Sequence, residues 1–292
     1  MKNILLIDAG NSRLKWVSMD GNDASVSFSH NKPDKEIEQN TIAYKNNNPI
    51  ESYSDLIKTK SKSHDKVLLV SVQGNEFAEQ ARRIASKASL DFINAVSPQQ
   101  LGCFKNAYKT PALLGVDRFV AMLAAHEIAI EKKARACIVI DCGTAVTIDA
   151  IDVSGQHLGG LIMPGLQLCS TCLLTNTQQL FTEVKEGQQP DFNLLTNNTS
   201  DAILSGSFYG LSGAIKETCF KIEKQIISAG LRQPQQEHQH SQQQSEDVVK
   251  IICGGDAKIL ASQLSADFLI HTDLVLQGAR LLAKQTFNRF NK

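Results

Sequence analysis

The sequence of 292 residues has no net charge, because 30 lysines and arginines balance 30 aspartates and glutamates. A neutral chain attracts polyanions little at long range, so we expect neither nucleic acid nor an anionic membrane as a partner. The sequence also lacks a run of about 18 apolar residues, the length that a membrane-spanning helix needs. Met1, Lys2 and Asn3 lead directly into an apolar strand pattern, without the apolar helix and cleavage site of a secretory signal.

Cysteine motifs are scarce, although the chain has seven cysteines. Cys137 and Cys253 fall within apolar runs, where a free thiol behaves as a small hydrophobic residue. Cys169 and Cys172 have CxxC spacing. No second pair and no histidine at ligand spacing accompany them, which argues against a zinc or redox site. We expect reduced thiols and a cytoplasmic protein.

The remaining composition is that of a globular protein, with 42% hydrophobic and 21% charged residues. Strand-like and helix-like segments alternate along the chain, which predicts an α/β fold. Residues 233–246 differ, because seven of their fourteen positions are glutamine. This composition predicts a flexible surface insertion, and His238 and His240 within it are too few for a metal site.

One short pattern occurs twice, near the start and near the middle of the chain. Each copy is an apolar run that ends in Asp-x-Gly and continues into a second apolar run. The first copy reads Asp8-Ala9-Gly10-Asn11-Ser12, and the second reads Asp141-Cys142-Gly143-Thr144-Ala145. An internal repeat of this period predicts two related lobes, which we place at residues 1–133 and 134–292.

The repeated turn has the chemistry of a phosphate-binding loop. Glycine lets the backbone approach a phosphate, exposed N–H groups bind its oxygens, and the aspartate can hold a cation. A lone Asp-x-Gly turn is weak evidence, because many strands contain one for packing reasons. Two copies, with a third turn at Gly254 and Gly255, predict loops that converge from two lobes on a nucleotide cleft.

The segment from Gly115 to Arg118 allows two interpretations. Asp117 stands where a loop gives way to a helix, so it can be a helix N-cap, and Arg118 can be a surface residue. Alternatively, Asp117 is a general base toward a substrate hydroxyl, and Arg118 binds a carboxylate or phosphate.

Taken together, these motifs resemble the type III pantothenate kinase family. The resemblance rests on residues 8–15, Tyr108, Gly115-Val116-Asp117-Arg118, residues 141–145, residues 159–165, and residues 198–203 with Gly206 and Gly210. It runs in the expected order from residue 4 to about residue 280. The glutamine-rich tract and the long polar stretch at 20–64 depart from the family pattern, and neither touches a motif.

The resemblance implies two actin-like (ribonuclease H-like) lobes, each a mixed β-sheet flanked by helices, with a nucleotide cleft between them. It also implies phosphorylation of pantothenate by ATP with Mg²⁺, the first step of coenzyme A synthesis. A monovalent cation, K⁺ or NH₄⁺, and a homodimer belong to the same expectation.

The resemblance also implies roles for individual residues. ATP would be bound by Asp8, Ala9, Gly10, Asn11, Ser12, Arg13, Leu14, Lys15 and Thr144, with Gly254 and Gly255 near the adenosine. Pantothenate would be bound by Tyr108, Gly115, Val116, Asp117, Arg118 and Thr199, with Asp117 as the proton acceptor. Asp8 would lie near Mg²⁺, and Asp141 would hold the monovalent cation.

Two alternatives to this function remain. The chain could be another small-molecule kinase or phosphatase of the superfamily, or a non-catalytic regulatory relative. The joint presence of Asp8, Asp117, Arg118, Asp141 and Thr144 argues against the second alternative, because a protein without catalysis has no need of them.

Overall fold

The computed structural model describes residues 3–20, 39–176, 192–230 and 247–287. The predicted insertion at 233–246 lies outside these residues. Two five-stranded mixed sheets flanked by helices form the fold, as the α/β prediction required. Among the described helices, none combines the length and the apolar character needed to cross a membrane.

The first sheet has its earliest strand at the centre. Its strands are β1 (Asn3–Ala9), β2 (Arg13–Met19), β3 (Asn40–Ala43), β4 (His64–Ser71) and β5 (Asp91–Asn94). Their order is β3-β2-β1-β4-β5. β2 runs antiparallel to both of its neighbours, β1 and β3, whereas β4 and β5 run parallel to β1. Helices α1 (Pro49–Lys60) and α2 (Asn75–Lys87) connect these strands.

A small hairpin and a helix link the two sheets. The hairpin consists of β6 (Gln100–Leu101) and β7 (Phe104–Lys105), and the helix is α3 (Val116–Glu131). The second sheet contains β8 (Ala136–Cys142), β9 (Ala145–Asp152), β10 (His157–Pro164), β11 (Val248–Cys253) and β12 (Phe268–Ile270). The helices of this half are α4 (Leu166–Asn176), α5 (Thr199–Ser228), α6 (Ala257–Ala261) and α7 (Leu274–Phe287).

The two sheets have the same topology. The second has the order β10-β9-β8-β11-β12, with β8 in the place of β1 and with the same parallel and antiparallel neighbours. Two Asp-x-Gly motifs therefore follow equivalent central strands, which confirms the predicted duplication of the fold. The division at residues 133 and 134 stays a prediction.

The apolar core lies in three layers between and outside the sheets. Helices α1 and α2 cover the outer face of the first sheet, and α5 and α6 cover the outer face of the second. Helices α3 and α7 pack against each other between the inner faces. Gly278 of α7 makes this approach possible, because a Cβ there would collide with the carbonyl group of Val120.

Two details differ from the sequence-based expectation. The polar stretch at 20–64 contains β3 and α1, which the sequence analysis did not identify. The spacing of Gly206, Gly210 and Gly213 in α5 predicts close packing against another backbone. Apart from the helix's own backbone and the adjoining residues, no described atom lies within 4 Å of the Cβ position of any of these glycines, so that packing is not found among the described residues.

Candidate active site

Strand periodicity places one carboxylate of each repeat on the inner face of its sheet. Successive side chains of a strand alternate between faces, so Ile4, Leu6 and Asp8 of β1 point the same way. Ile4 and Leu6 belong to the inner core, whereas Leu5 and Ile7 pack against α1 and α2. In β8, Cys137 and Val139 likewise belong to the inner core, which puts Asp141 on the inner face. The two aspartates thus face each other in the space between the sheets.

A cavity of about 220 Å³ lies between the inner edges of the two sheets. The loops after β1, β8 and β11 all reach it, which agrees with the predicted convergence of three turns. From the predicted set it is lined by Asp8, Gly10, Asn11, Ser12, Arg13, Lys15, Asp117, Asp141, Thr144, Gly254 and Gly255. Gly143, Gln167 and Asp256 also line it.

The loop after β1 is held in place by hydrogen bonds to its backbone. The carbonyl oxygen of Gly10 accepts a bond from the Tyr44 hydroxyl at 2.6 Å and another from Gln73 Nε2 at 2.5 Å. The Ser12 hydroxyl lies 3.1 Å from the Thr144 hydroxyl of the second loop. These contacts fix the backbone of the first loop and join it to the loop from the other sheet.

The loop after β11 packs directly on the second phosphate loop. Gly254 has a φ of +93°, a conformation that favours glycine. A Cβ at this position would also collide with the Cys142 carbonyl oxygen and the Asp141 carboxylate. The Asp256 N–H donates to the Cys142 carbonyl at 3.0 Å. Glycine is therefore required here both for the turn and for the close approach.

The cavity is electrostatically suited to cations. The pKa of Asp8 is raised to about 7, mainly by burial, with Lys15 lowering it and the charges of Asp117 and Asp141 adding to the rise. Burial and the charge of Asp117 raise the pKa of Asp141 to about 6. Lys15 is paired with Asp8 in the β1–β2 register, and its charge lowers the pKa of both Asp8 and Asp141. Three carboxylates that repel one another favour a bound cation.

Asp117 lines the cavity from the first turn of α3. Its Oδ1 accepts a hydrogen bond from the backbone N–H of Arg118 at 2.8 Å. The N-cap residue of this helix is Gly115, so the interpretation of Asp117 as the N-cap is wrong. Burial is the main cause that raises the pKa of Asp117. A half-buried carboxylate of raised pKa at a cavity wall suits a proton acceptor.

Arg118 is a buried residue, 5% exposed, and not the surface residue of the alternative interpretation. Its Nε and Nη2 donate to the two oxygens of Asp149, each at 2.7 Å, and its Nη1 donates to the Tyr108 hydroxyl at 2.9 Å. His157 Nε2 lies 3.1 Å from Asp149 Oδ1. The sequence analysis missed both Asp149 and His157, which lie inside β9 and β10.

The other predicted site residues do not line the cavity: they are Ala9, Leu14, Tyr108, Gly115, Val116, Arg118 and Thr199. Ala9 and Leu14 are buried in the outer core of the first sheet, and Val116 is buried in the inner core. Thr199 is the exposed first residue of α5, next to its N-cap Asn198, and does not line the cavity.

Within the described ranges, no three His, Cys, Asp or Glu side chains are grouped to hold a metal ion by themselves. Cys169 and Cys172 lie on α4, and all seven cysteines are free thiols.

Comparison with known proteins identifies the family. The sequence profile described as type III pantothenate kinase matches residues 4–221. A type III pantothenate kinase of Herminiimonas arsenicoxydans is 32% identical over 291 residues, covering 97% of this chain and 98% of that protein. One from Janthinobacterium sp. (strain Marseille) is 30% identical over 290 residues, with 97% and 98% covered.

Solved structures agree on the fold. A conserved putative Baf family transcriptional activator from Campylobacter jejuni has a TM-score of 0.55 at 20% identity, covering 97% of this chain and 99% of that one. MreB 5 of Spiroplasma citri, solved with AMPPNP, has a TM-score of 0.51 at 11% identity, with 100% and 98% covered. These likenesses show the two-lobed actin-like architecture alone. Because the family profile and the relatives match most of the chain, the chain belongs to the type III pantothenate kinase family and is a kinase.

Proposed function

We propose that the cavity transfers the γ-phosphoryl group of ATP to the primary hydroxyl of pantothenate, the first step of coenzyme A synthesis. One observation carries this proposal. Asp117 lines the same cavity as the loops of Gly10 and Gly143, so a proton acceptor and two phosphate loops face one space. Phosphoryl transfer needs mainly such placement, together with positive charge on the transferred group.

The nucleotide phosphates would lie on the loops after β1 and β8. Ser12 and Thr144 each place a hydroxyl there, and Gly10 and Gly143 leave the backbone accessible. The third loop, at Gly254, would lie near the adenosine. Lys15 would supply positive charge beside Asp8. The position of these loops around one cavity supports this assignment.

The acidic residues fit the cations that such a reaction uses. Mg²⁺ in kinase sites is held by one or two carboxylates together with substrate phosphates, and not by a protein cage. Asp8 would provide such a carboxylate, and Asp141 would hold K⁺ or NH₄⁺. When bound, these cations would offset the negative charge of the phosphates and of the transferred group.

Pantothenate carries a primary hydroxyl at one end and a carboxylate at the other. Asp117 would accept the proton of the hydroxyl, while Tyr108 and Arg118 would bind the rest of the molecule. Arg118 has five N–H groups, of which three are used within the protein. The remaining two would bind a substrate oxygen.

A homodimer would explain the position of Thr199. This residue is exposed and does not line the cavity of its own chain, and a contact with pantothenate in a second copy would account for its place at the surface. An apolar surface suitable for such pairing is formed by Leu161 and Ile162 of the edge strand β10, with Leu168 and Leu173 of α4, all exposed. Light scattering should report twice the chain mass of 32.0 kDa.

The experiment that tests the function is an ATP-dependent assay with pantothenate and a panel of sugars. We expect that pantothenate is phosphorylated and that no sugar is. Turnover of a sugar in place of pantothenate would establish the other-kinase alternative. No turnover of any substrate would favour the regulatory relative. A cytoplasmic location stays a prediction.

A further inference from the structure

A buried cluster beside the cavity connects the elements that carry Tyr108 and Arg118, the residues proposed to bind pantothenate. Its centre is Asp149 of β9, which is 2% exposed. Oδ2 of Asp149 accepts a hydrogen bond from Arg118, and Oδ1 accepts from Arg118 and contacts His157. A bidentate arginine–carboxylate pair fixes the plane of the guanidinium as well as its distance. Arg118 is thus held in one orientation.

His157 of β10 completes the cluster, and its partners assign its tautomer. The backbone N–H of Ala107 points at His157 Nδ1 at 3.4 Å, so Nδ1 accepts a hydrogen bond. The proton of the neutral ring is then on Nε2, which donates to Asp149 Oδ1 at 3.1 Å. The ring also stacks on Tyr108, with centroids 6.0 Å apart and planes at 18°. One imidazole therefore orients both Asp149 and the segment that carries Tyr108.

Gly160 shows how closely the cluster is packed. A Cβ at this position would collide with Asp149 Oδ1 and would lie 2.8 Å from Arg118 Nη2. Only the backbone of β10 can pass the guanidinium at this point. Neither the carboxylate nor the guanidinium can move toward β10, so the orientation of Arg118 is fixed by packing as well as by hydrogen bonds.

We propose that Asp149 and His157 are positioning residues for pantothenate, acting through Arg118 and Tyr108. The inference rests on the proposed contacts of these two residues with the substrate. Asp149 and His157 fix the plane in which the two spare N–H groups of Arg118 point. Since the backbone N–H of Arg118 also binds the Asp117 carboxylate, a displaced Arg118 moves the proton acceptor as well.

The first test is Asp149→Asn, which keeps the shape but turns one acceptor into a donor that faces Arg118 or His157. We expect the KM for pantothenate to rise by about tenfold or more, as misplaced substrate groups do, and the KM for ATP to stay unchanged. Asp152→Asn is the matched control. Asp152 is also buried on β9, but it accepts its hydrogen bonds from Ser154 and Gln156 in the next turn. We expect it to lower Tm without changing either KM.

The second test separates hydrogen bonding from stacking at His157. His157→Phe keeps a ring beside Tyr108 but has no donor for Asp149, whereas His157→Gln restores a donor and loses the ring. We expect the KM for pantothenate to rise in His157→Phe and to recover in part in His157→Gln. If Asp149→Asn yields no folded protein, this pair decides the question.

The outcomes distinguish this inference from the proposed substrate contacts. Tyr108→Phe and Arg118→Lys should both raise the KM for pantothenate, and if neither does, the proposed contacts are wrong. If they do, while Asp149→Asn and His157→Phe change only Tm, the positioning role alone is overturned. A uniform loss of kcat with both KM values unchanged would also overturn it.

Discussion

The hydroxyl oxygen of Ser12 lies 3.1 Å from that of Thr144, and this contact joins two loops that belong to different sheets. Both side chains are exposed, so the hydrogen bond adds little to stability. Its importance is positional. The two hydroxyls mark the place where the phosphate loops of the two repeats come together, and any group bound there contacts both halves of the molecule.

Thr144→Val tests whether this hydroxyl serves the nucleotide. Valine has nearly the same shape but no hydroxyl, so we expect the KM for ATP to rise roughly tenfold, corresponding to about 1.4 kcal/mol for a lost hydrogen bond. The KM for pantothenate should not change. Thr144→Ser keeps the hydroxyl and is the control, expected to behave as wild type. Equal KM values for ATP in the valine variant and in wild type would remove Thr144 from the nucleotide site.

Asp117→Asn tests the proton acceptor. Asparagine can still accept the hydrogen bond from the Arg118 backbone, but it cannot take a proton at neutral pH. We expect kcat to fall by about 10²- to 10⁴-fold, the usual contribution of a general base, with Tm close to wild type. Proton removal can come late in phosphoryl transfer, which places the loss toward the lower end of this range. A kcat near that of wild type at saturating substrate would exclude Asp117 as the base.

The monovalent-cation site can be tested by ion replacement. If Asp141 holds K⁺ beside the phosphates, activity should be low in Mg²⁺ with Na⁺ alone and should recover with K⁺ or NH₄⁺. Asp141→Asn should reduce this response more than it reduces Tm. The control Asp152→Asn, outside the cavity, should keep the full response to K⁺. Full wild-type activity in Na⁺ alone would contradict the site.

The raised pKa of Asp8 predicts how the stability of the protein depends on pH. Burial raises its pKa from 3.8 to about 7, so the fold favours the neutral form. Its stabilising contribution is fully present below about pH 3.8 and is lost as the pH rises through 7. Asp8→Asn is permanently neutral. Without ligands, we expect this variant to be more stable than wild type at pH 8, with a free energy of unfolding higher by on the order of 4 kcal/mol at most. Near pH 4 its stability should approach that of wild type.

The control for this experiment is Asp55→Asn. Asp55 is a surface residue of α1 whose pKa is lowered by Lys45 and Lys58. Removing its charge should not raise Tm at pH 8. A difference between Asp8→Asn and wild type that stays constant from pH 4 to pH 8 would show that Asp8 is charged in the fold over that range.

The sequence allowed prediction of features with a local pattern. Asp8 and Asp141 could be found because each ends an apolar run at a glycine turn, and the repeat predicted the matching sheets. Helix α1 also has a local signal that was missed. The Asn48 side chain accepts from the Glu51 backbone N–H at 3.4 Å, and Pro49 occupies the first helical position. Asn-Pro-x-Glu is typical of a helix start.

The buried cluster had no such local signal. Asp149 lies inside an apolar strand and pairs with Arg118, which is 31 positions away in the chain. His157 is equally isolated in sequence from Tyr108. A buried carboxylate needs partners that tertiary packing brings to it, and neither periodicity nor residue type names those partners. For this reason the sequence analysis predicted Arg118 to bind a substrate or to lie at the surface, and it did not identify Asp149 as its partner.

The position of α7 has a consequence for the order in which the protein folds. Leu274, Leu276 and Ala279 of this helix share one apolar cluster with Ile4 and Leu6 of the first strand. All other described elements precede α7 in the chain. During synthesis, the part of the inner face of the first sheet that α7 covers therefore stays uncovered until α7 has left the ribosome. Folding of the amino-terminal half is thus completed only with α7, and a nascent chain that stops before this helix should depend on chaperones.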